Sequence, residues 1–174
     1  MKNRKLIFAV ALCLFYSVTM LSAKTKTTAS KIPKDLVRQL IKDINHNKNN
    51  IRLSGDELQV LHKNLKYELH DLNADEVPEF FLYIDHSDWC GAGRNCSYWV
   101  YRKTNHGYKL LLEDKVLRVR NRATNGYKDI ASEVPMGFCA RNVQRADVSL
   151  YKYNGKRYQI VSSKYQCIPF TPKQ

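Results

Sequence analysis

Acidic residues are scarce in this 174-residue chain: 16 Asp and Glu stand against 29 Lys and Arg, a formal charge of +13. Catalytic signatures are missing too. There is no H-E-x-x-H zinc helix, no G-x-S-x-G nucleophile elbow and no phosphate-binding P-loop. The best-marked routes to a metalloprotease, a serine hydrolase or a nucleotide enzyme are thereby closed. No C-x2-C pair occurs among the five cysteines, which disfavours a thiolate metal site. Nothing recurs at the period of roughly 20–50 residues that marks solenoids and propellers. What is present is a globular balance, 44% hydrophobic and 26% charged, which rules out wholesale disorder. The length suits one domain, or one domain with a tail.

Residues 1–23 read as a secretory signal. Lys2, Arg4 and Lys5 precede an uncharged apolar run from Leu6 to Leu21, and Leu21-Ser22-Ala23 offers a small residue at a cut site. An uncleaved anchor is the alternative, but the run is short for a span of ~20 residues and Lys24 and Lys26 follow at once. Residues 24–31 are expected to be a flexible tail, and 32–174 a single α+β domain with no transmembrane span. Cleavage leaves Cys90, Cys96, Cys139 and Cys167. An even count in an exported domain implies two disulfides. Of the three possible pairings, the expectation joins sequence neighbours: Cys90–Cys96 and Cys139–Cys167. The compartment is periplasmic or extracellular.

Pro33 suits a first helical turn, and Leu36, Val37, Leu40, Ile41 and Ile44 recur at helical spacing. Ser54 with Glu57 forms a capping box for a second, short helix. From Leu65 onward the pattern is β. Leu65, Tyr67 and Leu69 alternate with polar residues, and Phe80–Ile84 is a continuous apolar run suited to a strand covered on both faces. Asn154-Gly155 between two β-rich runs predicts a type I′ hairpin with Lys152 opposite Arg157. The expected fold is α+β: one or two N-terminal helices packed on an antiparallel, strongly twisted sheet or partial barrel of about seven strands.

Asp71-Leu72-Asn73-Ala74-Asp75-Glu76-Val77-Pro78-Glu79 sets oxygen side chains at positions 1, 3, 5 and 9 of a short loop. That spacing can wrap a hard cation, with the Val77 carbonyl near position 7, and the donor set of Asp71, Asn73, Asp75 and Glu79 suits Ca²⁺. The alternative is a strand corner in which Asp and Asn cap their own backbone. Residues 66–89 hold seven acids against one base, Lys66. Such a local excess needs a cation or the basic remainder of the fold. Ten residues after Glu79, Trp89-Cys90-Gly91-Ala92-Gly93-Arg94-Asn95-Cys96 joins two strands.

Together these segments and Gly126-Tyr127-Lys128-Asp129-Ile130 resemble a family of exported bacterial proteins of unassigned activity. That family shows a D-x-[ND]-G-D-G-x-x-E loop like those of FG-GAP repeats, then W-C-G-x-G-x-C, then G-[WY]-[KR]-D-[IL]. The resemblance covers about residues 65–130 and implies an exported domain, with side-chain oxygens of Asp71, Asn73, Asp75 and Glu79 on calcium. The chain departs from the pattern at Ala74 and Glu76, where the family has glycines.

Residues 102–164 carry fourteen Lys and Arg against five acids, interleaved with tyrosines. The expected binding surface comprises Tyr151, Lys152, Tyr153, Lys156, Arg157, Arg118 and Arg120, facing an anionic envelope polymer, a lipid surface or an acidic protein. Nucleic acid is not an expected partner for an exported disulfide protein. The functional expectation is a binding domain with no catalytic residues. A hydrolase using carboxylates among Asp71, Asp75, Asp85 and Asp88 is the alternative from another class, and a periplasmic inhibitor or immunity-type protein is a third. The five histidines read as surface residues, although His70 and His86 flank the acidic loop.

Overall fold

The computed structural model describes residues 32–47, 52–91 and 95–169. The leader and the tail assigned from the sequence lie outside them. No helix of the described residues is long and apolar enough to cross a membrane.

Helix α1 spans Lys34–Asn47. Leu36, Leu40 and Ile44 fall four apart on one stripe and are each at most 3% exposed. Asp43 on the same helix accepts the Tyr101 hydroxyl at 2.7 Å, tying the helix to the sheet below. Helix α2 spans Gly55–Asn64 and opens with the expected capping box: Glu57 N–H donates to Ser54 Oγ and Ser54 N–H to Glu57 Oε2.

Among the described residues nine strands follow, against the expected number of about seven. They are β1 (Leu65–His70), β2 (Glu79–Ile84), β3 (Cys90–Gly91), β4 (Asn95–Thr104), β5 (Gly107–Lys115), β6 (Leu117–Thr124), β7 (Tyr127–Ala140), β8 (Val143–Tyr153) and β9 (Tyr158–Pro169). The fold class is α+β, as the periodicities implied. The sequence reading undercounts because β3 is only two residues long; β7, β8 and β9 are foreseen as strands but run longer than their alternation marks.

The first sheet has the order β1-β2-β4-β5, with β3 added beside β4, and all pairings are antiparallel. It is the middle of three layers. Leu82, Ile84, Trp99 and Tyr101 face the helices in one core. Phe81, Tyr98, Val100, Leu111 and Leu112 face the second sheet in another. The apolar run Phe80–Ile84 is therefore covered on both sides, as its composition demands.

The second sheet is the meander β6-β7-β8-β9. Cys90 pairs with Cys96 and Cys139 with Cys167. The second bond joins β7 to β9 across the intervening β8. Strands two apart in a flat sheet stand ~9.5 Å apart, yet these Cα atoms are 6.0 Å apart. The sheet therefore curls strongly, helped by bulges near Pro135/Gly137 and Phe138/Ala140.

The hairpin at Asn154-Gly155 departs from the expected turn. Tyr153 pairs with Tyr158, so the loop holds residues 154–157 and Lys152 faces Gln159 instead of Arg157. Within this loop only Gly155 has positive φ, at 94°. The Asn154 side chain accepts the N–H groups of Lys156 and Arg157, each at 2.9 Å, and this local capping competes successfully with the two-residue turn.

Candidate functional site

The acidic loop between β1 and β2 closes on itself. Asp71 Oδ1 accepts the N–H groups of Asn73 and Ala74, and Oδ2 that of Glu76. Asp75 Oδ1 accepts Val77 N–H at 2.8 Å, and its Oδ2 accepts the Asn73 amide at 2.7 Å. Ala74 and Glu76 adopt left-handed φ values of 59° and 65°. The chain thus keeps, without glycine, the backbone path for which glycine is the usual residue. Val77 is exposed at the loop's outer edge.

Glu79 closes the loop from below. It is fully buried, and its Oε2 accepts Leu72 N–H at 3.0 Å while Oε1 has no hydrogen-bond partner. Burial pushes its carboxyl above the ordinary range; the Leu72 N–H pulls it down, and the neighbouring Asp75 and Asp71 add to the rise. Asn73 Oδ1 is likewise buried without a partner. Even so, among the described residues no three His, Cys, Asp or Glu side chains gather in a group that could hold a metal. The geometry shown is a capped turn with two orphan oxygens beneath it.

The second sheet grips this loop. Lys128 at the start of β7 donates its backbone N–H to Leu72 O at 2.7 Å and its ammonium to Asp71 O at 3.0 Å. The Tyr127 hydroxyl accepts from Arg102 at 2.6 Å and from the Asn73 amide at 3.3 Å. Tyr127 packs on Tyr153 with ring centroids 4.0 Å apart, and Tyr158 meets both edge-on. Two cations of the basic half thus stand beside the acidic loop, bonded to the Tyr127 hydroxyl and the Asp71 carbonyl and not to its carboxylates.

The expected binding residues separate into groups. Lys156 and Arg157 are exposed on the β8–β9 loop, and Lys152 is half-buried beside them. Tyr153 is only 4% exposed; its hydroxyl donates to Gly155 O, so it supports the loop from inside. The half-buried Tyr151 donates to Asp114. Arg118 and Arg120 both hold Glu133, at 2.7 and 2.5 Å, beside a cleft of about 500 Å³ that also contains Glu68 and His70. The structure does not gather these seven residues into one patch.

The four acids of the hydrolase alternative are also divided. Asp71 and Asp75 precede β2 and Asp85 and Asp88 follow it, and six extended residues span ~20 Å. His70 pairs with Glu68 and His86 with Asp88.

Comparison with known proteins returned no match to a family model, a curated protein or a solved structure. Sequence reasoning missed Arg102, Tyr127 and Lys128 as partners of the acidic loop. Charge complementarity between two halves of the chain and the shared pattern of the acidic loop with residues 126–130 were the signals, and neither carries a register.

Proposed function

We propose that this chain is an exported, disulfide-stabilised binding domain whose second sheet meets an anionic envelope component or an acidic protein. One observation carries the reading: of the three acids of that sheet, Glu133 and Asp147 have partners within it, and Asp129 is buried with neither carboxylate oxygen hydrogen-bonded. Residues 117–169 hold ten Lys and Arg and three acids. Asp129 is buried, Glu133 is clasped by two arginines, and Asp147 accepts the Ser163 hydroxyl. The surface field of the sheet is therefore positive, and Lys152, Lys156 and Arg157 add to it within six residues of the β8–β9 hairpin. A split set of carboxylates and an absent nucleophile signature favour binding over hydrolysis.

The test is capture of the purified protein on envelope fractions at low and high salt. Charge reversal at Lys152, Lys156 and Arg157 is expected to weaken capture more than reversal at Lys34 and Lys42, and salt is expected to weaken it throughout. Equal effects of the two sets would overturn the assignment. Export itself predicts a mature chain beginning at Lys24, read by intact mass.

A second reading concerns calcium at the acidic loop. Two buried oxygens without partners, Glu79 Oε1 and Asn73 Oδ1, favour it. Asp71, Asn73, Asp75, Glu79 and the Val77 carbonyl would hold the ion, which would supply the charge that a buried carboxylate lacks. Thermal melts with calcium and with chelator test this. A difference abolished by Asp75→Ala is expected, whereas an unchanged melt leaves the capped turn alone.

A further inference from the structure

We infer that the far end of the second sheet, where β7 turns into β8, is a membrane-contact tip that enters the surface of an anionic phospholipid bilayer. The eleven residues of β8 separate this end from the loop of Lys156 and Arg157, a length of roughly 35 Å along the strand. The tip is thus a surface distinct from the hairpin cations, and it shares with the proposed function only the anionic nature of the partner.

The apolar exposure of the molecule collects on this sheet. Six large apolar side chains of the described residues are about half exposed or more, and five of them lie on β7 and β9. Three sit at the far end: Met136 at 58%, Phe138 at 68% and Tyr165 at 62% exposure. Register brings them together. Gly137, Arg145 and Cys167 form one row across the three strands, with Phe138 one residue beyond it and Tyr165 two before it. Phe138 and Tyr165 line the same shallow hollow as Arg145 and the Cys139–Cys167 bond. Bulges fall at Pro135/Gly137 and Phe138/Ala140, and a bulge re-aims the side chains beside it. The disulfide ties β7 to β9, so the tip is ordered before contact and insertion costs little chain entropy.

Charge complements the apolar groups. Residues 134–146 and 159–169 carry Arg141, Arg145 and Lys164 and neither Asp nor Glu. The next acid along β8, Asp147 opposite Tyr165, accepts the Ser163 hydroxyl at 3.0 Å. The Arg145 guanidinium lies over the Tyr165 ring, 5.0 Å from its centroid, which sets a cation directly beside an exposed aromatic. Apolar side chains with arginines among them match an anionic interface. The rings and Met136 enter the boundary between headgroups and acyl chains, and the guanidinium groups stay with the phosphates.

Area decides between a bilayer and a protein partner. Large side chains bury ~150–250 Å² each when wholly covered. The three at the tip are no more than 68% exposed, so their apolar area falls well below the ~800 Å² per partner of a standard protein interface. A fluid bilayer needs no matching surface and closes around a protruding strand end.

The test uses the chain from Lys24, the expected product of export, with both disulfides intact. It is sedimented with vesicles of phosphatidylcholine alone or mixed equally with phosphatidylglycerol. Binding to the mixed vesicles is expected, with at least tenfold weaker binding to the neutral ones. Phe138→Ser is expected to weaken it about tenfold, the scale of one apolar side chain returned to water, and Arg145→Glu at least fivefold, about the share of one cation at an anionic leaflet. Tyr165→Ser provides a second apolar variant should Phe138→Ser unfold. Charge reversal at Lys156 and Arg157 is expected to change vesicle binding less than twofold, because those groups lie well beyond a Debye length of ~10 Å from the tip. The inference is overturned if the mixed vesicles bind nothing, if folded tip variants bind unchanged, or if reversal at Lys156 and Arg157 costs as much as the tip variants. Capture on envelope fractions that depends on Lys156 and Arg157, without vesicle binding, would remove the tip and leave the proposed function standing. Retention on polyglutamate that Phe138→Ser and Arg145→Glu abolish, again without vesicle binding, would assign the tip to an acidic protein instead.

Discussion

Lys128 reaches Asp71 across 57 residues of sequence, its ammonium 3.0 Å from the Asp71 carbonyl oxygen. With the Lys128 N–H to Leu72 O bond beside it, this makes the β6–β7 hairpin a clamp on the acidic loop. The two sheets are joined through polar groups at this edge as well as through the core between them.

The clamp should be measurable. In Tyr127→Phe the acceptor shared by Arg102 and the Asn73 amide disappears. A partly buried arginine then loses a bond, a change costing about 1–3 kcal/mol. The expected result is a melting temperature lower by several degrees, with a smaller loss for Lys128→Met because its ammonium is exposed and its backbone bond persists. A Tyr127→Phe melt equal to that of the parent would show that the hydroxyl bonds nothing of consequence.

Glu79 predicts a pH signature of defined sign. Its folded carboxyl lies above the ordinary value of 4.5, mainly through burial. The folded state therefore binds the proton more tightly than the unfolded state does. That penalty is absent below the unfolded pKa and grows as pH rises through the folded one. In chelator, Glu79→Gln should therefore gain stability relative to the parent as pH is raised above about 4.5. Millimolar calcium should reverse that gain if the loop holds the ion. A difference that stays flat with pH would mean that the carboxylate is already compensated.

Disulfide removal should act locally. Cys139–Cys167 closes a 28-residue separation at the far end of the curled sheet, worth about 3.6 kcal/mol by chain entropy. Met136, Phe138 and Tyr165 nearby are more than half exposed, so few buried contacts replace the bond. Selective loss through Cys139→Ser with Cys167→Ser should raise amide exchange in residues 134–146 and 159–169 while β1, β2 and β4 keep their protection. Uniform loss of protection would indicate that the sheet folds as one unit with the core.

The arginines of β6 should matter less for binding than the hairpin lysines. Arg118 and Arg120 are already engaged by Glu133, and such partly exposed pairs contribute ~1 kcal/mol or less. Alanine at either position should weaken capture of anionic partners less than alanine at Lys156 or Arg157. The reverse order would move the binding surface to the cleft beside β6.

Much of the architecture was legible because its causes are local. The Leu36–Leu40–Ile44 stripe, the Ser54–Glu57 capping box and the doubly covered Phe80–Ile84 strand each follow from residues a few positions apart. The neighbour pairing of the four cysteines is one of three that the sequence leaves open, and the fold selects it by bringing β7 and β9 together. Other features depend on which strands become neighbours. Lys152 faces Gln159 because the Asn154 side chain captures two N–H groups and lengthens the loop, a local competition that the Asn-Gly signal does not weigh. Arg102, Tyr127 and Lys128 meet the acidic loop only because the second sheet folds over the first. Composition and local spacing set the elements; their long-range partners were decided by tertiary packing, since burial of two faces of one sheet selects which distant side chains converge.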